Sequence, residues 1–181
     1  MDMYIFKKSV LIDLLEGARE RGARSFLGDI LLQNQKNLRL YAYIYEGYVR
    51  HIDSTAAYFS CNMELLKEEV QMALFRKETP IFTRVKNRVP TRYGEDACIR
   101  TSLVADGCLL EGSAENCIFF RGAKLGRRAH LRNCIVMEKT CIDVGCRAEN
   151  VIFDKAALMR EGRTLLGTEE HPVIIQKGAI I

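Results

Sequence analysis

The 181-residue chain has no Cys-x-x-Cys pair, no apolar run long enough to cross a bilayer and no Gly-x-Gly cluster. Each absence removes a class of protein. Seven cysteines, an odd number without paired spacing, argue against a zinc site or a disulfide framework. They predict reduced thiols that pack as small hydrophobes, and no bound metal. The N-terminal MDMYIFKKSVLIDLLEG breaks its apolar character with Lys7, Lys8 and Asp13, which argues against a signal peptide or membrane span and predicts a cytoplasmic protein. A net charge of +4 is too mild to imply nucleic acid. With 48% hydrophobic and 28% charged residues, the composition is that of a globular chain of one large or two small domains.

What is present is a repeat. An asparagine followed by an apolar run returns at Asn116, Asn133 and Asn150, 17 residues apart each time. In the same frame Ile118, Ile135 and Ile152 coincide, as do Phe119, Val136 and Phe153, then Ala123, Thr140 and Ala157, then Leu125, Ile142 and Met159. Within one unit, Leu125 and Ala129 stand four apart and Leu131 and Ile135 repeat the step. This is the hexapeptide rhythm of a left-handed parallel β-helix, in which three short strands make one triangular coil and alternate side chains point inward. A coil of 17 rather than 18 residues has one corner a residue short. SLVADGCLLEG matches CIFFRGAKLGR at an offset of 15, and REGRTLLG resembles a last irregular coil, giving about four coils from residue 95 to the C-terminus. The overlay places Ile118, Ile135 and Ile152 inward. Phe119, Val136 and Phe153, with Cys117, Cys134 and Val151, then form an outer apolar patch that residues 1–75 or another subunit should cover.

Residues 1–75 have a different pattern, that of a C-terminal remnant of an α/β domain. MYIF reads as a strand, Ser9 as the N-cap of a helix with Val10, Leu11, Leu14, Leu15 and Ala18 on one face, and Ser25 as the start of a second helix. LRLYAYIYEGYVRHID alternates like two strands meeting at Glu46-Gly47, and Ser54 caps a further helix. A linker over 76–94 carries Pro80 and Pro90 among Arg84, Lys86, Arg88 and Arg92. The chain thus reads as mainly β, with the α/β remnant, the linker and a β-helix domain over 95–181.

The succession EGYVRHIDSTAAYFSCNMELL, a Pro-bounded linker and SLVADGC leading into coils resembles the C-terminal half of ADP-glucose pyrophosphorylase, that is, glucose-1-phosphate adenylyltransferase. Gly47, Tyr48, Arg50, Asp53, Tyr58, Asn62, Met63 and Leu65 fit that family's signature at this point. Val49 stands where the family has an aromatic residue and Ser54-Thr55 where it has Gly-Thr. RSFLGDILLQN resembles another family segment, with Gly28 in the place of its lysine and Leu32 or a neighbour in the place of its proline. The family's Gly-rich nucleotide loop, whose backbone N–H groups cradle phosphates, has no counterpart, and the chain reads as starting at a mid-domain strand.

The resemblance implies a regulatory, non-catalytic portion of such an enzyme in glycogen synthesis, itself unable to hold a nucleoside triphosphate. It implies assembly as a homo-oligomer or with a catalytic subunit, which would bring Mg with ATP, while this chain carries no cofactor and no catalytic residue and contacts neither nucleic acid nor membrane. Asp53 matches a metal-binding carboxylate near the sugar phosphate and is expected to be a structural remnant that caps the helix near Ser54; Asp29 is a weaker parallel. Arg121, Lys124, Arg127, Arg128 and Arg132, with His130, read either as a site for an anionic sugar-phosphate or nucleotide effector or as a solvated corner of the prism. The linker cations compete for that role. The alternative function is a hexapeptide-repeat acyltransferase using His130 as general base, but no carboxylate is evident to orient it. A carbonic-anhydrase-like metal site is weaker still, because His51, His130 and His171 are scattered along the chain.

Overall fold

The computed structural model describes residues 3–83 and 87–181, so Arg84 and Lys86 of the expected cation cluster lie outside the described residues. The chain divides into two compact units, Met1–Gly47 and Tyr48–Ile181.

The first unit is built on α1 (Lys8–Glu20) and a π-helical turn, Phe26–Leu31. Lys7, not Ser9, holds the N-cap position of α1, and it makes no side-chain cap; Ser9 lies within the first turn. Ser25 does cap the second segment, accepting from Gly28 N at 3.1 Å, but the helix that follows is a π-turn. Phe26 packs on Tyr4 and Phe6 with ring centroids 5.2 and 5.9 Å away, and Ala18, Ile30 and Leu31 are buried. The strands expected at MYIF and across 38–53 do not form. A strand is stable only when its N–H and C=O groups meet a neighbouring edge. Neither segment pairs with a strand among the described residues, and Tyr41, Tyr43 and Ile44 stay largely exposed.

The second unit carries α2 (Thr55–Glu64), α3 (Glu68–Leu74) and the coils. Its strands are β1 (Arg92–Tyr93), β2 (Cys98–Arg100), β3 (Leu103–Val104), β4 (Leu109–Leu110), β5 (Ser113–Glu115), β6 (Ile118–Phe119) and β7 (Lys124–Leu125). They continue with β8 (His130–Val136), β9 (Cys141–Ile142), β10 (Arg147–Phe153), β11 (Leu158–Met159), β12 (Thr164–Leu166) and β13 (Val173–Ile175). Every pairing is parallel. One wall runs β1-β4-β7-β9-β11, a second runs β2-β5-β8-β10-β12, and the third joins β3, β6, the ends of β8 and β10, and β13. The mainly β expectation and its count of about four coils hold, as does the offset of 15, seen where Leu103 pairs with Ile118.

Corners are made by left-handed backbone. Asn116, Asn133 and Asn150 have φ of 53°, 48° and 53°, and Arg128, Gly145 and Gly162 occupy the equivalent position at another corner. Asparagine tolerates this conformation better than other residues with a Cβ. The three asparagines also bind each other. Asn116 Nδ2 donates to Asn133 Oδ1 at 3.3 Å, Asn133 to Asn150 Oδ1 at 3.1 Å, and Asn150 to the Gly167 carbonyl at 3.1 Å. That ladder, with the left-handed turn, is the physical reason asparagine returns at this corner of successive coils. Where β4 turns into β5 the corner is shorter, and Gly112 fits only because it has no side chain: a Cβ there would lie 2.5 Å from the Ala129 carbonyl oxygen.

The inward register differs from the overlay. Cys117, Phe119, Cys134, Val136, Val151 and Phe153 point into the prism with Leu110, Leu125, Ile142 and Met159, whereas Ile118, Ile135 and Ile152 point out. The missing residue of each coil falls at the Asn corner, so the small inward position after Leu131 is Cys134, three residues on, not Ile135. A shift of one residue sends every side chain of that wall to the opposite face. The outer row is nonetheless covered. Phe59 of α2, 2% exposed, packs on Ile135 and Ile152, with Tyr58, Met63 and Met137 around them.

Candidate functional site

The signature residues hold α2 against the chain that precedes it. Tyr48 Oη donates to Glu64 Oε2 at 2.6 Å, and Arg50 grips the same carboxylate through Nε at 2.8 Å and a terminal nitrogen at 2.9 Å. The Arg50 guanidinium also lies 5.4 Å from the Tyr48 ring centroid. Hydrogen bonds from Arg50 and then Tyr48 hold the Glu64 carboxyl below its ordinary range. Burial, then the contact with Glu64, pushes the Tyr48 hydroxyl up to about 12. Ser54 caps α2 as expected, accepting from Ala57 N at 3.1 Å, and Asn62 donates to the Tyr58 carbonyl at 2.8 Å. Glu64, the centre of this lock, was not singled out from the sequence. Its signal was a carboxylate on the helix that the Tyr48 and Arg50 segment precedes.

A cleft of about 480 Å³ lies between the start of α2 and the outer wall, lined by Asp53, Ser54, Thr55, Tyr58, Met137, Ile152, Asp154 and Ile174. It contains two carboxylates and no lysine or arginine, a poor environment for a phosphate. Asp53 is exposed and stands 3.6 Å from His51 Nδ1; the cap of α2 is supplied by Ser54. Asp29, in the first unit, accepts from the backbone N–H groups of Arg24 and Ser25 at 2.8 and 2.9 Å, and those bonds lower its pKa. Neither carboxylate fits a magnesium site. Asp29 is occupied in shaping a turn, Asp53 has a histidine beside it, and no group of three or more His, Cys, Asp or Glu converges among the described residues.

The cations of residues 121–132 are distributed around the prism. Arg121 lies at the corner before β7, where its carbonyl accepts from Lys139 N, and Lys124 points outward from the first wall. Arg127 and Arg128 form the next corner, with Arg127 Nε 3.5 Å from Glu111 Oε1. His130 and Arg132 stand on the second wall, where Arg132 pairs with Glu149 at 3.6 Å. Arg127 and Arg128 are therefore neighbours, while Arg121, Lys124 and Arg132 belong to other surfaces. Arg88, from the linker, reaches Glu138 at 3.5 Å, and Arg92 is in β1.

The second wall bears a shallow groove of about 490 Å³. Its floor is Ala114, Leu131 and Ala148, whose side chains are in the core, and its rims are two rows of outward residues. The first row is Cys98, Ser113, His130, Arg147 and Thr164; the second is Arg100, Glu115, Arg132, Glu149 and Leu166. Reading the run of cations at 121–132 by itself missed Glu115, Arg147 and Glu149, although Glu115, Arg132 and Glu149 share the period of 17.

No disulfide forms among the seven cysteines, and Cys108, Cys117, Cys134 and Cys146 are buried. Burial, then the neighbouring Cys117, raises the Cys134 thiol well above its ordinary pKa, so it serves packing rather than nucleophilic chemistry. Among the described residues no helix is long and apolar enough to cross a membrane.

The GlmU-like, C-terminal hexapeptide family profile matches residues 87–171, the stretch that forms most of the coils. The chain is 37% identical over 180 residues, 99% of its length, to the glycogen biosynthesis protein GlgD of Bacillus subtilis, of which it spans 52%. It is 39% identical over 180 residues to the GlgD of Geobacillus stearothermophilus, again spanning 52%. A glucose-1-phosphate adenylyltransferase of Desulfitobacterium hafniense is 28% identical over 199 aligned residues, covering all of this chain and 49% of the enzyme. The chain spans about half the length of the curated relatives it matches. Over nearly its whole length, then, the chain is similar to GlgD proteins and to a glucose-1-phosphate adenylyltransferase, and its coils are similar to the GlmU-like hexapeptide family.

Proposed function

We propose that this chain acts as a regulatory and assembly portion of a glucose-1-phosphate adenylyltransferase system in glycogen biosynthesis, in the cytoplasm, and does not itself form ADP-glucose from ATP and glucose 1-phosphate. The observation that carries the reading is the similarity to GlgD over 99% of the chain. The signature it shares with the family is used here to lock α2 through Glu64 and to cap it through Ser54. Its carboxylates Asp29 and Asp53 are not arranged to hold magnesium, and its cleft offers a phosphate no cation. Phosphoryl transfer depends on positioned donors and metal around the transferred group, and these would come from a catalytic partner that brings Mg with ATP. Arg127 and Arg128, adjacent and exposed at one corner, are the part of the expected cation cluster best placed to receive an anionic sugar-phosphate or nucleotide effector.

Pyrophosphate release tests the reading. The chain alone should release none above a no-protein control, and adding it to a catalytic glucose-1-phosphate adenylyltransferase should change that enzyme's rate or effector response. Steady release by the chain alone, abolished by Asp53→Ala, would refute the proposal; so would a catalytic subunit whose kinetics are untouched by saturating amounts of the chain.

A further inference from the structure

The cleft of about 480 Å³ between the start of α2 and the third wall joins an apolar floor to polar groups with bonding capacity to spare. Ile152 and Ile174 stand opposite each other on paired strands and point outward, and Met137 packs beside Ile152. Phe59 seals Ile152, but Ile174, the next member of the row, is left 48% exposed. Around this floor, one Asp154 oxygen accepts from Lys155 N at 2.6 Å, while the other has no hydrogen-bond partner among the described residues. The Thr55 hydroxyl makes no hydrogen bond among them either, and Asp53 has only His51 beside it, at 3.6 Å. We infer that this cleft is a binding site for an uncharged sugar, held as one or two rings of a short oligosaccharide.

The lining selects that chemistry. A phosphate would meet two carboxylates and no lysine or arginine. A divalent cation wants several converging oxygen ligands, whereas no group of three or more His, Cys, Asp or Glu converges among the described residues. A purely apolar ligand would leave Asp53 and Asp154 desolvated without partners. A neutral sugar ring uses all that the cleft offers. Its hydroxyls donate to Asp53 and Asp154, and one accepts from Thr55, while its C–H face rests on Ile174 and Met137. Hydroxyl-to-carboxylate bonds are charge-assisted, about twice as strong as neutral ones, so two of them orient the ring. The volume falls within the about 300–1,000 Å³ of small-molecule sites. Because Asp53 is exposed, affinity is weak, with a Kd of about 1 mM. This site goes beyond the proposed function and does not rest on it, since sugar binding needs no catalytic partner.

Saturation-transfer difference NMR of the full 181-residue chain with maltotriose reads the site. Ring C–H signals should receive saturation from the protein, and titration should give the weak Kd expected. Asp154→Ala should weaken binding by about tenfold, and Ile174→Glu should weaken it similarly by charging the floor. Both positions are at the surface end of the row, and circular dichroism verifies that each variant is folded. Three results overturn the inference: no saturation transfer at up to about 20 mM sugar, unchanged affinity in both folded variants, or displacement of maltotriose by inorganic phosphate or spermidine at lower concentration than by glucose. Pyrophosphate release by the chain alone would count against the proposed function and leave sugar binding standing, while loss of sugar binding would leave that function as it is.

Discussion

Asn133 donates its side-chain amide to Asn150 Oδ1 at 3.1 Å, one coil away, while both residues hold left-handed backbone at the same corner. Asn133→Ala removes a rung from this ladder and leaves a Cβ in a conformation that only asparagine and glycine adopt readily. It should destabilise the coils by about 2 kcal/mol. Asn133→Gly keeps the backbone but loses the rung, so thermal unfolding should rank wild type above Gly and Gly above Ala.

Arg128 occupies the corner position that Gly145 and Gly162 take in the next coils, with φ of 58°. Arg128→Gly should be neutral or stabilising by up to about 1 kcal/mol, since relief of left-handed strain opposes the added freedom of the unfolded chain. Denaturant midpoints would show it. A clear loss of stability would mean that the Arg128 side chain contributes contacts beyond its backbone role.

Phe59 covers Ile135 and Ile152, and truncating it uncovers that row as well as emptying its own site. Phe59→Ala should cost about 3 kcal/mol. Limited proteolysis should then cut around α2 well before the coils, because β8 and β10 keep their own pairing.

The Tyr48, Arg50 and Glu64 lock sets the pH response of α2. Glu64 has a depressed folded pKa, so its contribution is complete above the ordinary carboxylate range and is lost as pH falls through the folded value. Tyr48 is raised to about 12, so its contribution is complete below about 10 and is lost as pH rises from there toward 12. Glu64→Gln should flatten the acid limb of stability against pH, and Tyr48→Phe the alkaline limb. Unchanged limbs in both variants would show that the lock adds nothing to stability.

Charge reversal at Arg127 and Arg128 together should abolish binding of a sugar phosphate if their corner receives the effector, with the melting temperature nearly unchanged because both side chains are exposed. Isothermal titration decides it, and unchanged affinity would return these residues to the role of a solvated corner.

The coils were legible because the period of 17 is printed in residue types that do physical work: asparagines for the turn and aliphatics for the walls. The face each aliphatic takes was not legible, since a residue missing at the Asn corner moves the inward position from Ile135 to Cys134. Cysteine inside and isoleucine outside is the less expected choice by composition, and it becomes sensible only once Phe59 is seen to cover the isoleucines. Strand patterning across 38–53 was misleading for another reason: alternation reports a side-chain preference, while a strand needs a partner edge. The expected cation cluster is spread out because a run in sequence passes over two walls of the prism and the corners beside them. Glu64 became visible only once α2 was folded back on the Tyr48 and Arg50 segment, and the outward row at Arg100, Glu115, Arg132 and Glu149 only with the strand register.

The short corner at Gly112 has a consequence for how such a protein can change. Between β4 and β5 the chain turns with Glu111 and Gly112 alone, whereas between β7 and β8 it uses residues 126–129, yet Leu110 still pairs with Leu125 and Ser113 with His130. Between β12 and β13 it widens again, and Val173 still meets Val151. Length can therefore be gained or lost at a vertex without slipping any wall. Evolution, or an engineer, can splice a recognition loop into one vertex, as a bead is tied to the edge of a lampshade, and leave the stacked interior unaware of it.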